Sequence, residues 1–187
     1  MSDRRQELVE RSLDYLLDHG VADLSLRPLA ADVGTSARLL VYHFGSKEGL
    51  LMATMDALRG RVQASFRGVT AGAQARHSSP LDAFWKWATH REHLRYLRLL
   101  FEVQVLALHR PEQYARYLEH TSGSWLALIE EALPKSRRSP ALATLCGAVI
   151  DGLLLELLST GDRRRTTDAI RLFGALLHNE RPGTSHE

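Results

Sequence analysis

Within the stretch LAADVGTSARLLVYHFGSKEGLL, positions 29–51, three residues carry side chains suited to reading a nucleic acid. Arg38 and Tyr42 are four residues apart, so on a helix they share one face, with Leu39 beside Arg38. A guanidinium can donate two parallel hydrogen bonds to guanine O6 and N7, and a leucine can lie against a thymine methyl. A tyrosine hydroxyl can hold a phosphate. The competing reading of the same residues is an ordinary solvated helix face whose aromatic ring packs on a neighbour.

Other candidate chemistry is thinner. His90 and His93, with Glu92 between them and His109 and His120 further on, have a spacing that can bind metal, but no complete ligand set accompanies them. A solvated helix rim is the better account of them. Ser122 and Ser124 in TSGSW do not form a strand-to-helix nucleophile elbow, and no glycine-rich phosphate loop is present. Cys146 sits in a strongly apolar segment and reads as inert packing. As the single cysteine it excludes an internal disulfide and a cysteine-based zinc site. No catalytic activity, metal or cofactor is expected.

The elements that must position Arg38 and its neighbours are helical. Apolar residues recur at helical spacing along nearly the whole chain and predict an all-α fold of about nine helices. Helix one is expected over residues 4–19, with Leu8, Leu13, Leu16 and Leu17 inward and Gly20 as its stop. Ser25 is placed to cap helix two and Pro28 falls in its first turn, where a missing N–H costs little. Leu29, Ala30 and Val33 face inward. Gly34 supplies the tight turn, Thr35 or Ser36 caps helix three, Leu40 points to the core, and Gly45 breaks the helix after Phe44. Ser46 caps helix four, expected over 47–68 as a long connector. Helix two, the Gly34 turn and helix three form a helix-turn-helix, whose second helix usually enters the DNA major groove.

The segment from Leu26 to Leu51 resembles the DNA-binding region of the tetracycline-repressor (TetR) family of bacterial regulators. The matching residues are Leu29, Ala30, Gly34, Ser36, Leu40, the block Tyr42-His43-Phe44, and Ser46-Lys47-Glu48 with Leu50 and Leu51. The detailed match covers about residues 4–60. The chain departs from the pattern at Val41, where the family often has tyrosine, at Thr35, where it often has valine, and at Arg38, where a small residue is common. These departures bear on the sequence read rather than on the binding mode. The resemblance implies DNA contacts from Ser25, Arg27, Thr35, Ser36, Arg38, Leu39, Tyr42, His43 and Lys47, with Lys47 on phosphate at the start of helix four. Arg4 and Arg5 are within reach of the flanking backbone. For His43, a wedge between helices three and four is an equal alternative.

The resemblance also implies an N-terminal DNA-binding domain, 1–46, and a helical regulatory domain, 47–187, that dimerises and holds a small-molecule ligand. Residues 70–80, TAGAQARHSSP, read as the linker. Further helices are expected at about 81–90, 92–108, 111–133, 140–160 and 163–178, and the tail from Asn179 reads as frayed. Residues 141–160 and 170–178 are apolar over more than one helical face and need cover on several sides. Two such helices from each subunit suit a four-helix interface built on Gly147, Ile150, Leu154, Leu158, Leu172, Phe173 and Leu176. Burial inside one subunit is the alternative. Phe84, Trp87, Phe101, Glu102, Gln104, Tyr117, Trp125 and Asp151 combine apolar walls with a few polar points, as a ligand pocket requires.

Composition sets the bounds. The 187 residues are 44% hydrophobic and 25% charged, with a net charge of only +2. Residues 1–67 hold nine Lys/Arg and nine Asp/Glu, so any basic surface must come from arrangement. No secretory signal opens the chain and no unbroken apolar run approaches membrane length, so a cytoplasmic protein is expected. The reading is therefore a homodimeric, ligand-responsive DNA-binding regulator, most simply a repressor of a near-palindromic operator. The alternative is a helical dimer that binds a partner protein and has lost sequence-specific DNA binding.

Overall fold

The computed structural model describes residues 3–179. Among them, nine α-helices follow one another: α1 Asp3–His19, α2 Leu26–Asp32, α3 Ala37–Phe44, α4 Lys47–Ala75, α5 Pro80–Ala88, α6 Arg91–His109, α7 Ala115–Ala132, α8 Pro140–Thr160 and α9 Arg163–Asn179. A short 3-10 turn, Lys135–Arg137, precedes α8. The side chains of His120 and Ser122, and the tail beyond Asn179, lie outside the described residues.

Two compact units divide the chain. The first joins the chain up to Val62 with Leu94–Glu119; the second joins Gln63–His93 with the chain from His120 onward. Packing therefore does not divide the chain at residue 47. The reason lies in α4, whose Leu50, Leu51, Met55 and Leu58 are buried at 2% exposure or less. The same unit takes in α6, whose Glu102 accepts a hydrogen bond from the Val21 N–H at 3.4 Å while Arg95 pairs with Asp18.

The core of the helix-turn-helix is Leu8, Leu29, Ala30, Val33, Leu40 and Leu50, edged by Tyr15, Leu24, Leu26, Ala37 and Phe44. Each fully buried leucine contributes roughly 1.5–3 kcal/mol. Gly34, at φ +71°, makes the turn between α2 and α3. The Thr35 N–H donates to the Ala30 carbonyl at 2.8 Å across that turn. Ser36 caps α3 by accepting from the Leu39 N–H at 3.1 Å, and Ser46 caps α4 by accepting from the Gly49 N–H at 3.0 Å. Ser25 holds the extended N-cap geometry for α2 without a side-chain hydrogen bond.

Two sequence expectations shift. The stretch 70–80 is not a linker, because α4 runs on to Ala75. Ala73 is fully buried and the Thr70 hydroxyl donates back to the Phe66 carbonyl at 2.8 Å, so tertiary burial outweighs the small polar composition. Only the four residues before Pro80 break the helix, and Ser79 then caps α5 by accepting from Asp82 N–H. α7 begins at Ala115, after turns, rather than at 111.

In the second unit, Phe66 meets Phe84 edge-on at 4.9 Å and Trp125 at 6.1 Å, and Trp87 stacks on Phe84 at 5.6 Å. The Trp85 indole N–H donates to the Thr167 hydroxyl at 3.1 Å and ties α5 to α9. Ala143, Cys146, Ile150, Leu154 and Leu157 form the buried face of α8. By length and composition α8 could cross a membrane, which a search for unbroken apolar runs does not detect. It nevertheless carries Asp151 and Glu156 and buries one face in its own unit.

Candidate nucleic-acid interface and an apolar cavity

The outward face of α3 is open. Tyr42 is 80% exposed, Val41 42% and Leu39 37%, and Arg38 is exposed beside them, while Leu40 is fully buried. Buried Leu40 sets the rotation of the helix. Positions 38, 39 and 42 are thereby turned outward together. Among the described residues the exposed Tyr42 ring meets only that of its chain neighbour His43, at 5.3 Å, which leaves its hydroxyl available to an incoming group.

Several cations of this unit are taken up by ion pairs. Arg4 pairs with Glu7, Arg61 with Glu10, Arg59 with Asp56 and Arg95 with Asp18. Arg5 lies over the Phe44 ring at 4.8 Å. Among the described residues, Arg27, Arg38 and Lys47 make no ion pair. These three sit on α2, on α3 and at the first position of α4. Lys47 joins the backbone N–H groups of the α4 N-terminus, a favourable place for an anion. Cations without protein partners, next to exposed Leu39 and Tyr42, form a surface that can neutralise phosphate and touch base edges.

The structure does not present every expected contact. The Thr35 hydroxyl is buried without a hydrogen-bond partner, so it neither caps α3 nor faces outward. Ser36 spends its side-chain oxygen on the cap. Arg4 and Arg5 are engaged as described. Ser25, Arg27, Arg38, Leu39, Tyr42 and Lys47 remain accessible, with His43 half-buried against Tyr42 and Phe44.

The second unit encloses a cavity of about 490 Å³ among α4, α5, α7, α8 and α9. Its walls include Phe66, Phe84, Ile129, Leu142 and Ile150, with Thr70, Gln74, Cys146 and Arg137 as polar points. Such volumes and linings are those of small-molecule sites. Burial pushes the Cys146 thiol up, and the Arg137 charge opposes the shift in part.

Of the expected pocket residues only Phe84 lines this cavity. Trp87 and Trp125 stand behind the lining, against Phe84 and Phe66. Phe101, Glu102, Gln104 and Tyr117 belong to the other unit, where Glu102 accepts from Arg98 Nε–H at 3.1 Å and from Val21 N–H. Sequence reasoning missed Arg137 because KSRR between two prolines reads as a solvated turn. It missed Phe66, Thr70 and Gln74 because the segment looked like the end of a connector. Their spacing of four residues was the available signal.

The expected interface residues divide in the same way. Ile150 and Leu154 are buried in their own subunit at 7% and 1% exposure, and a Cβ at Gly147 would meet Ile129 at 3.2 Å. Leu158 and Phe173 are half-buried. The open apolar stripe consists of Leu145, Ala148, Gly152 and Leu155 on α8 with Leu172 and Leu176 on α9, the four leucines being 47–63% exposed. Asp151 lies in this stripe. It is open to water, yet desolvation by the surrounding protein pushes its carboxyl up from 3.8 to about 6. Among the described residues no group of three or more His, Cys, Asp or Glu converges as a metal site would.

Comparison with known proteins agrees with this geometry. The family model described as "Bacterial regulatory proteins, tetR family" matches residues 8–54. The chain is 29% identical over 196 aligned residues to "HTH-type transcriptional regulator BetI" of Cronobacter sakazakii, covering 95% of each protein. It superposes on the crystal structure of a transcriptional regulator from Rhodococcus sp. Rha1 with a TM-score of 0.75 at 20% identity, covering 95% of this chain and 97% of that one. It superposes on the multidrug binding protein EbrR complexed with imidazole with a TM-score of 0.72 at 22% identity, covering 100% and 94%. At such identities the structural likeness speaks for the fold.

Proposed function

We propose that this helix-turn-helix, DNA-binding transcriptional regulator, matched at residues 8–54 by the tetR family of bacterial regulatory proteins, acts as a cytoplasmic homodimer, represses a near-palindromic operator, and is released by a small molecule. The observation that carries the DNA-reading surface is the trio Arg27, Arg38 and Lys47, free of ion pairs around an exposed Leu39 and Tyr42. A chain that had exchanged DNA for a protein partner would have no reason to keep cations unpaired there. Arg38 reads a base edge; Ser25, Arg27, Tyr42 and Lys47 hold the backbone. The chemistry is recognition, and no bond is made or broken.

A second copy covers the stripe of Leu145, Ala148, Gly152 and Leu155 with Leu172 and Leu176. Small residues at 148 and 152 let two α8 helices approach closely, and burying four leucines supplies the driving force. A two-fold dimer places its two α3 helices on successive major-groove faces, roughly 34–36 Å apart or somewhat more. The ligand occupies the cavity of the second unit. Its effect passes along α4, one continuous helix from Lys47 to Ala75 that contributes to both units. Ligand and operator need only prefer different conformations, and a coupling of about 1–3 kcal/mol changes occupancy five- to 150-fold.

Selection of random duplexes by the purified protein at moderate salt, followed by sequencing, tests the reading. Recovery of a palindromic site is expected. A folded, dimeric protein that enriches no sequence with or without cell metabolites refutes it.

A further inference from the structure

We infer that the cavity of the second unit selects an uncharged, mostly apolar molecule bearing a hydroxyl or a carbonyl, and turns away organic ions of either sign. The inference deepens the reading of this cavity as the effector site and rests on it.

The wall decides the class of ligand. Among the described residues no carboxylate lines it. Asp82, Glu130 and Glu131 adjoin lining residues in the sequence, but none of them forms part of the wall. An organic cation entering here loses its water and finds no counter-charge. The aromatic surface offers little in exchange. Phe66 and Phe84 line the cavity, packed edge-on against each other at 4.9 Å, whereas Trp87 and Trp125, the stronger cation–π partners, stand behind them.

An anion fares no better. Arg137, the one cation among the described lining residues, already has a partner of its own. An anion would have to give up its water and then compete with that partner for the guanidinium. The Cys146 thiol is buried and stays protonated at neutral pH, so the wall gains no charge from it.

The hydrogen-bonding capacity that remains suits a neutral polar group. Thr70, buried on α4, donates its hydroxyl to the Phe66 and Arg67 carbonyls at 2.8 and 3.2 Å and keeps a lone pair with which to accept. Ser79 accepts from the Asp82 N–H at 3.2 Å and keeps its own O–H to donate. The Gln74 amide donates to the Ala132 carbonyl at 3.3 Å. A ligand hydroxyl or carbonyl can therefore be satisfied here without breaking a bond the protein already makes. The rest of the wall, with Ile129, Leu142 and Ile150, is aliphatic and suits an apolar body.

The test uses the full chain and three probes built on one rigid cage, so that only the polar group differs: adamantanol, adamantane carboxylate and adamantylammonium, titrated by calorimetry. Adamantanol is expected to bind at least about tenfold more tightly than either ion and to release operator duplex. A cavity-filling Ile129→Trp change is expected to abolish both effects. Gln74→Glu, at an exposed wall position, introduces a carboxylate and should bring adamantylammonium at least about threefold closer to adamantanol. Thermal melts of both variants confirm folding. Binding of either ion within about tenfold of adamantanol, or cation binding indifferent to Gln74→Glu, overturns the ligand class, and the cavity stands as effector site if duplex is still released. Binding of none of the three, or binding unaffected by Ile129→Trp, overturns the inference outright. The expected order of affinities without release of duplex overturns the effector reading and leaves the ligand class.

Discussion

A methyl group added at Gly49 tests whether the α3–α4 joint aims the reading helix. Gly49 is the third residue of α4, and its N–H donates to Ser46, the cap. A Cβ there would stand 2.1 Å from the backbone carbonyl oxygen of Phe44, the last residue of α3. A carbon and an oxygen in ordinary contact need more than 3 Å, so the end of α3 and the start of α4 must part by about 1 Å. Overpacking of this kind costs about 1–3 kcal/mol. Ala in place of Gly returns about 1 kcal/mol of helix propensity. The net expectation for Gly49→Ala is a loss of up to about 2 kcal/mol, a fall in Tm of up to roughly 8 °C for a chain of this size. Gly60→Ala and Gly68→Ala share the propensity gain, because an added Cβ at either position meets nothing within 4 Å. Each should stabilise by about 0.4–1 kcal/mol. The three variants are compared by thermal unfolding and by binding to a selected operator. Gly49→Ala should also lose at least tenfold in affinity, with α3 re-aimed, while the two controls bind as the parent does. A Gly49→Ala protein with parental Tm and affinity would refute the claim that this joint fixes the reader.

Arg38→Ala should cost about 1–3 kcal/mol of operator binding and relax preference at one base position, measured by repeating the duplex selection with the variant. Lys47→Ala should weaken all duplexes alike and reduce the salt slope by about one, read from binding isotherms between low and moderate salt. Leu172→Glu, on the open apolar stripe, should shift the protein to monomer in analytical ultracentrifugation without lowering helix content, because this side chain is 63% exposed in the single chain. Asp151→Asn should stabilise the protein at pH 7: a carboxyl raised from 3.8 to about 6 binds more proton folded than unfolded, so stability falls as pH rises across that window. The carboxyl is open to water, so about 1 kcal/mol is expected, and chemical denaturation at pH 4 and pH 7 should show the parent's pH dependence lost in the variant.

The sequence made the DNA-binding half legible because its constraints are local. Positive φ at Gly34 and Gly45, the Ser36 and Ser46 caps, and the alternation of buried Leu40 with exposed Arg38, Leu39 and Tyr42 all act within a few residues. The cavity was not legible, because helical periodicity reports that a face is covered without reporting what covers it. Phe101 and Glu102 have the same aromatic-plus-polar signature as a pocket wall, but α6 turns them into the first unit, where Glu102 holds the Val21 N–H. Ile150 and Leu154 likewise read as interface residues, but their face of α8 is spent on the core, and the exposed apolar stripe is that of Leu145 and Leu155 beside it.

The charge pattern carries the same lesson further. A balance of nine cations and nine acids over residues 1–67 gives no sign of a polyanion partner. Folding breaks the balance by spending the acids selectively. Glu7, Glu10, Asp18 and Asp56 each take an arginine that lies on α1, α4 or α6. Among the described cations of that stretch, Arg27, Arg38, Lys47 and Arg67 make no ion pair, and the first three lie on α2, α3 and the first position of α4. The DNA-facing field is thus a product of which cations the scaffold neutralises, and it needs no excess of positive charge. Replacing Glu10 or Asp18 by its amide would free a paired arginine away from α3. If pairing confines the field, non-specific duplex affinity should rise while operator preference narrows.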